Sequence, residues 1–282
     1  PPRAPPAPPP PPRPPPRAAS ARTPPPAPHG PSPPAGPRDG DPRGAPRPAA
    51  LAFNRRAAHR HDPANPRTAG RALPAGRLSR RFAWAVTGGS AVVFVVAAAN
   101  LNQLCLLLAV PTLVVILGYS LSKRFTAAAH IWLGVALGIA PAGAWIAASG
   151  QIALPAVVLS AAVACWVAGF DIIYSLQDES FDRSQGLHSL PAALGGRRAL
   201  LISRLLHGSS LVGFSAFAVA VGGGPYRLLA VAAAAAMLVW QHRLVSADDL
   251  RAVNAAFFTA NGVLSVVMGV LFVVARLMEG RG

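Results

Sequence analysis

From residue 82 onward the chain is a series of apolar runs separated by short polar interruptions, and few of the runs carry a polar face. Seven runs stand out, at about 82–99, 101–119, 130–149, 152–172, 199–221, 225–242 and 253–275. Each is close to the roughly 20 residues that a helix needs to cross a bilayer. Each is also rich in Ala, Gly, Val and Leu, which suits close helix contacts in lipid. A soluble core built from seven such helices is the competing picture, and it is disfavoured by the scarcity of amphipathic faces. The pattern predicts an all-α fold, a multi-span membrane helical bundle.

The connections between runs alternate in character. Those at 54–81, 119–128, 171–198 and 242–251 are long and charged, whereas Asn100, "SGQ" at 149–151 and "GGGP" at 222–225 are tiny and uncharged. The basic bias of the first set makes that face cytoplasmic by the positive-inside rule, in a cytoplasmic membrane of bacterial type. Seven spans then place the short tail after Arg276 on the opposite side. The span centres contain no ionisable residue on this reading, which argues against a transport path.

Composition changes the picture only at the N-terminus. Of 282 residues 52% are hydrophobic and 13% charged, with a formal charge of +16, but residues 1–50 hold 23 of the 31 prolines and almost no apolar residue larger than alanine. Such a segment cannot bury enough surface to offset chain entropy, so residues 1–50 are expected to be disordered and residues 51–282 to form the membrane-embedded domain. No apolar core follows the first arginines, so no signal peptide is expected there. The basic excess favours neither nucleic acid nor lipid strongly: no aromatic residue precedes Phe53, and the single lysine among many Ala, Pro, Arg and Gly residues has the look of GC-rich coding. No nucleic-acid partner is expected. Cys105 and Cys165 both fall inside apolar runs and are expected to be free thiols.

The candidate chemistry collects on the charged face. "DIIYSLQDESFD" at 171–182 holds four of the ten acidic residues, and Asp171, Asp178 and Asp182 are spaced seven and four apart. That spacing keeps all three on one helix face if helix continues out of the membrane. Three carboxylates without Cys or His suit Mg²⁺ bridging to a substrate phosphate, and a solvated acidic loop is the alternative at this point. A second cluster, "NRRAAHRHDPANPRTAGRALPAG" at 54–76, sets Asn54 and Asp62 eight apart and adds Arg67 and Arg71. Carboxylate and arginine together make sense where metal and phosphate are bound together. His59 and His61 are too loosely spaced to define a metal site. The third element, "YSLSKR", places Lys123 and Arg124 at the end of the second run, as membrane anchors or as an anion clamp.

These three stretches, in this order between apolar runs, resemble the UbiA superfamily of intramembrane prenyltransferases. Asn54, Asp62 and "RTAGRALP" match its first motif; Asp171, Tyr174, Asp178 and Asp182 fit every place of its second; Tyr119, Ser120, Lys123 and Arg124 match the element between them. "GLHSLPAALG" is similar to the 4-hydroxybenzoate polyprenyltransferases and their menaquinone-pathway relatives. The resemblance covers about residues 51–280 and implies a UbiA-type bundle that transfers a polyprenyl chain from its diphosphate to an aromatic ring. It implies Mg²⁺ held by Asn54, Asp62, Asp171, Asp178 and Asp182, and diphosphate bound by Arg67, Arg71, Lys123 and Arg124. Lys123, Tyr119 and Tyr174 are the implied catalytic residues, with polyprenyl diphosphate, an aromatic acceptor and the lipid bilayer as partners. No covalent enzyme nucleophile is suggested by Ser, Cys or His spacing.

Two departures accompany the match. Ala58 stands where the family's first motif has its nearer aspartate, which removes one expected metal ligand. The family has nine spans against about seven here, and the Pro/Arg-rich segment stands where the first ones belong, as a misplaced start or a frame-shifted stretch would leave it. An inactive or truncated relative, or an enzyme for another acceptor such as a naphthoate, is the alternative reading.

Overall fold

The computed structural model describes residues 79–122 and 124–279. Those residues form helices throughout, with no strand among them. In chain order they are α1 (Arg80–Ala99), α2 (Gln103–Ser122), α3 (Ala129–Ser149), α4 (Leu154–Ser175), a 3₁₀ turn (Leu176–Asp178), α5 (Glu179–Ser184), α6 (Leu190–Leu194), α7 (Gly196–Ala220), α8 (Pro225–Leu244), a π turn (Ala255–Thr259) and α9 (Ala260–Glu279). The stretch expected to be disordered, residues 1–50, lies outside the described residues.

Six helices among the described residues are long and apolar enough to cross a membrane: α1, α2, α3, α4 with its extension to Ser184, α7, and α9 with the preceding π turn. The seventh expected span, α8, has the length, at 20 residues, but its two ends carry Arg227, Gln241, His242 and Arg243, which lower its apolarity. The protein is an all-α membrane bundle. Large apolar side chains face outward along its flanks, with Val93, Leu107, Val212 and Val266 all well exposed. In water such faces would be a liability; in lipid they are the solvent-facing surface.

Helix ends follow local chemistry. The Ser79 hydroxyl accepts from the Phe82 amide and starts α1, and Gly150, at φ 70°, closes α3 with its N–H on the Ile146 carbonyl at 2.8 Å. Pro155, Pro191 and Pro225 sit in the first turns of α4, α6 and α8, where the missing donor costs nothing.

Since lipid tails are as apolar as leucine, packing must come from close approach and from hydrogen bonds between helices. On α3 a Cβ at Gly134 would run into the Ala164 carbonyl oxygen of α4, and one at Gly138 would lie 2.7 Å from the Ser160 carbonyl oxygen. The two backbones therefore touch. Pro141 interrupts the α3 ladder nearby, and the freed Ala142 amide donates to the Ser160 hydroxyl across the interface at 3.0 Å. On the far side of α4, the Ser203 hydroxyl of α7 donates to the Gly169 carbonyl at 2.7 Å.

Hydrogen bonds also show which connections share an end. Asn102 donates to the Ile146 carbonyl at 2.9 Å, joining two of the short uncharged connections. At the other end Arg197 pairs with Asp248 at 3.2 Å, and the starts of α3 and α6 meet the end of α4. Among the described residues the charged connections thus gather at one end, as the alternation in the sequence requires. Ile172, Ile173, Leu176, Ala199, Leu200, Val245, Val253 and Ala256 form the buried cluster under that end.

Candidate functional site

The acidic segment does not continue as one uninterrupted α-helix. Helix α4 ends at Ser175, and the 3₁₀ turn through Asp178 intervenes before α5. A 3₁₀ residue advances about 20° further than an α residue, so three of them swing the continuing chain by about 60°. Asp171 is left facing α3, where its Oδ2 lies 2.6 Å from Nδ1 of His130, a fully buried side chain in the first turn of that helix. Asp178 closes the turn and Asp182 lies beyond it, at 8% and 3% exposure. Among the described residues no group of three His, Cys, Asp or Glu side chains comes together in a way that could hold a metal ion. The structure therefore does not bring Asp171, Asp178 and Asp182 into one such group.

Two buried carboxylates four residues apart at a membrane boundary are costly to desolvate, and side chains of this kind within a bundle mark function. Their oxygen-only donor set fits a hard divalent cation. That donor set is part of the one the resemblance implies. The other ligands implied by the resemblance, Asn54 and Asp62, lie outside the described residues, as do Ala58, Arg67, Arg71 and Lys123. Arg124 is exposed just beyond α2, on the charged end, and Tyr119 lies in the last turn of that helix.

Tyr174 is held by aromatic packing. On α4, Trp166, Phe170 and Tyr174 follow one another at intervals of four, which stacks them along one face. Phe257 and Phe258, from the π turn, close on that face. The Tyr174 and Phe257 ring centroids are 4.1 Å apart, Phe258 meets Tyr174 edge-on at 6.1 Å, and Phe257 meets Phe170 at 5.3 Å. A π turn widens the backbone and needs support for its displaced carbonyls. Gln241 of α8, fully buried, supplies it with Nε2 donating to the Ala256 carbonyl at 2.6 Å, while Asn261 donates to the Phe257 carbonyl at 2.7 Å. Trp166 Nε1 donates to Asn261 Oδ1 at 3.1 Å and ties the turn back to α4.

A span centre does carry an ionisable side chain, contrary to the expectation from the sequence. His207 sits within α7 at 3% exposure, and a Cβ on Gly169 would collide with its ring, so that glycine exists to admit it. Its Nε2 must donate to the Trp166 carbonyl, at 3.2 Å, because a carbonyl cannot. Its Nδ1 is then the acceptor for His242 Nε2 at 2.9 Å. The pair joins α4, α7 and α8. Neither His207 nor His130 is marked by spacing in the sequence, since their partners are 35 and 41 residues away. His130 alone had a signal, as it begins a run on the face where Asp171 ends one.

In α5, Glu179 pairs with Arg183 at 3.0 Å, and Arg183 also donates to the Ala192 carbonyl. In the α8–α9 connection, hydrogen bonds from Arg251 hold the Asp249 carboxyl down at about 2, and Arg251 is raised in return.

A bundle of apolar helices with buried acidic side chains gathered at one end is an integral membrane protein with a polar site at its surface, and the comparisons specify which kind. The sequence pattern of the UbiA prenyltransferase family matches residues 46–263, so the chain belongs to that family and is a prenyltransferase. It is 29% identical over 195 residues to the 4-hydroxybenzoate octaprenyltransferase of Photobacterium profundum, covering 69% of this chain and 68% of that protein. The enzyme of the same description from Cronobacter sakazakii is 29% identical over 215 residues, or 76% of this chain and 74% of that one. Among solved structures, the apo structure of a UbiA homolog from Aeropyrum pernix K1 superposes with a TM-score of 0.74 at 35% identity, covering 81% of this chain and 84% of that one. A digeranylgeranylglyceryl phosphate synthase shares the fold, with a TM-score of 0.62 at 16% identity over 80% of each chain.

Proposed function

We propose that the protein transfers a polyprenyl chain from its diphosphate to an aromatic ring of the 4-hydroxybenzoate type, in quinone biosynthesis, at the cytoplasmic face of a bacterial inner membrane. The observation that carries this reading is the burial of Asp178 and Asp182 at the charged end of the bundle, four and eight residues beyond the clamped ring of Tyr174. Members of the family generally use divalent metal ions, and here Asp178, Asp182, Asn54 and Asp62 would hold Mg²⁺. When bound, that ion neutralises diphosphate charge and eases departure of the leaving group. Lys123, Arg124, Arg67 and Arg71 would bind the remaining phosphate oxygens, each guanidinium offering a fork of donors. Tyr119 and Tyr174 would orient the diphosphate. Departure leaves an allylic cation, and the wall of Phe170, Tyr174, Phe257 and Phe258 would keep water from it while the ring attacks. The outward apolar flanks of the helices suit a groove open to lipid for the chain.

The test is transfer of radiolabel from a polyprenyl diphosphate to 4-hydroxybenzoate in membranes carrying the protein, over a magnesium titration. The wild type is expected to form prenylated product only when magnesium is present. Ala58→Asp, which restores the carboxylate that the family's first motif carries, is expected to lower the magnesium needed. No product with any aromatic acceptor from a folded protein would favour the inactive relative, the reading that Ala58 supports.

A further inference from the structure

The first aspartate of the second motif has a use that its sequence position does not reveal. Asp171 Oδ2 and His130 Nδ1 are 2.6 Å apart, and the other nitrogen of the same ring, Nε2, lies 3.4 Å from the backbone amide of Leu190. An amide N–H can only donate, so Nε2 is the acceptor and the ring proton resides on Nδ1, from which it is given to the carboxylate. The ring is fully buried and cannot swing away to solvent. It therefore links the end of α4 to the first residue of α6.

We infer that Asp171 is a positioning residue, which acts through His130 to pin the turn between α5 and α6 and with it the segment that carries Asp178 and Asp182. The turn is fastened at both ends. At one, the Leu187 amide donates to the Asp182 carbonyl at 2.8 Å; at the other, Leu190 meets His130. Between them Ser189 is fully buried and caps α6 through the Ala192 amide at 3.4 Å. The route from Asp171 to the backbone of Asp182 thus runs through His130 and four residues of turn. A partner that fixes the geometry of a binding carboxylate is worth about 10- to 100-fold in affinity or activity. This inference rests on the prenyl-transfer reading for its consequence, but the brace itself is a feature of the fold.

The experiment separates positioning from ligation by charge. Asparagine at 171 keeps an oxygen to accept from His130 Nδ1 and loses the charge a metal ligand needs. Ser189→Cys is introduced with Cys105 and Cys165 replaced by alanine, and its labelling by a water-soluble maleimide is followed in membranes without magnesium or substrate, beside prenyl transfer over a magnesium titration. Asp171→Asn is expected to label as slowly as the parent, with its half-saturating magnesium unchanged. Asp171→Ala and His130→Ala are each expected to label about tenfold faster and to lose kcat, the double variant being no worse than the more affected single one. His130→Gln, which keeps a donor and an acceptor, is expected to recover slow labelling, and it serves also if His130→Ala fails to fold. A raised magnesium requirement in Asp171→Asn, or labelling that His130→Ala leaves unchanged, overturns the inference. Absence of transfer in every protein would count against the prenyl-transfer reading alone, since labelling reads the brace without it.

Discussion

Helix α4 has a buried histidine on each of two faces, and they are fastened differently. His130, from α3, gives its proton to a carboxylate of the acidic segment. His207, from α7, gives its proton to the Trp166 backbone and receives one from His242, so its bonds stay within the helical frame. A glycine accompanies each: Gly134 lets the α3 backbone meet α4 a turn from His130, and Gly169 makes room for the His207 ring. The same side chain, at the same burial, serves the site on one face and the scaffold on the other. What separates them is the partner, and variants should divide accordingly into those that alter transfer and those that alter stability.

The largest effect is expected where the carboxylates themselves are lost. Asp182→Ala should cost about 10²- to 10³-fold in transfer, the scale on which one group that stabilises leaving-group charge contributes, with the protein still extracted as a folded species. Next comes the backbone contact on the His130 face. Gly134→Val forces a side chain into the Ala164 carbonyl, which has no freedom to yield, and should destabilise by about 3 kcal/mol, seen as a fall in Tm in detergent.

On the other face the expected changes are smaller. Removing the ring in His207→Ala leaves the Trp166 carbonyl and His242 without their partner and should cost about 1–2 kcal/mol, with the magnesium dependence of transfer unchanged. Gln241→Leu, which abandons the carbonyl of the π turn, should act similarly but also loosen Phe257 against Tyr174. The smallest effect belongs to the exposed connection. Asp249 is depressed from 3.8 to about 2, so its pairing with Arg251 favours the fold above pH 3.8 and is lost only as pH falls through about 2. Because the pair is exposed, Asp249→Asn should leave transfer unaltered and lower Tm at neutral pH only slightly.

How far these faces could be read beforehand depends on the range over which each is encoded. The long helices were legible because length and apolarity are local, and α8 is less apolar than the others for a local reason too: Arg227 and the Gln241–Arg243 cluster at its ends. The gathering of charged connections at one end followed from alternation alone. The family followed from three spaced motifs. The short helices α5 and α6 within the 171–198 connection were not anticipated, although Ser189 and Pro191 form a start signal for the second of them. The His130 brace, the His207–His242 pair and the Gln241–Asn261–Trp166 support join residues 20 to 95 positions apart, and no periodicity announces such pairs. The shared face expected of the three aspartates assumed unbroken α-helix, which the 3₁₀ turn at Leu176–Asp178 interrupts, and Asp171 faces His130 of α3.

The most direct test compares the two faces in one assay, with Asp178→Asn and His207→Ala in the same membranes and transfer to 4-hydroxybenzoate and thermal stability measured on each. Asn replaces Asp without changing shape, so Asp178→Asn should keep the wild-type Tm within a few degrees and lose transfer by about 10²-fold or more at any magnesium concentration. His207→Ala should lose Tm and, below its own Tm, retain transfer within about threefold. Full transfer by a folded Asp178→Asn protein would contradict the assignment of the buried carboxylates to the chemistry, whatever the behaviour of His207→Ala.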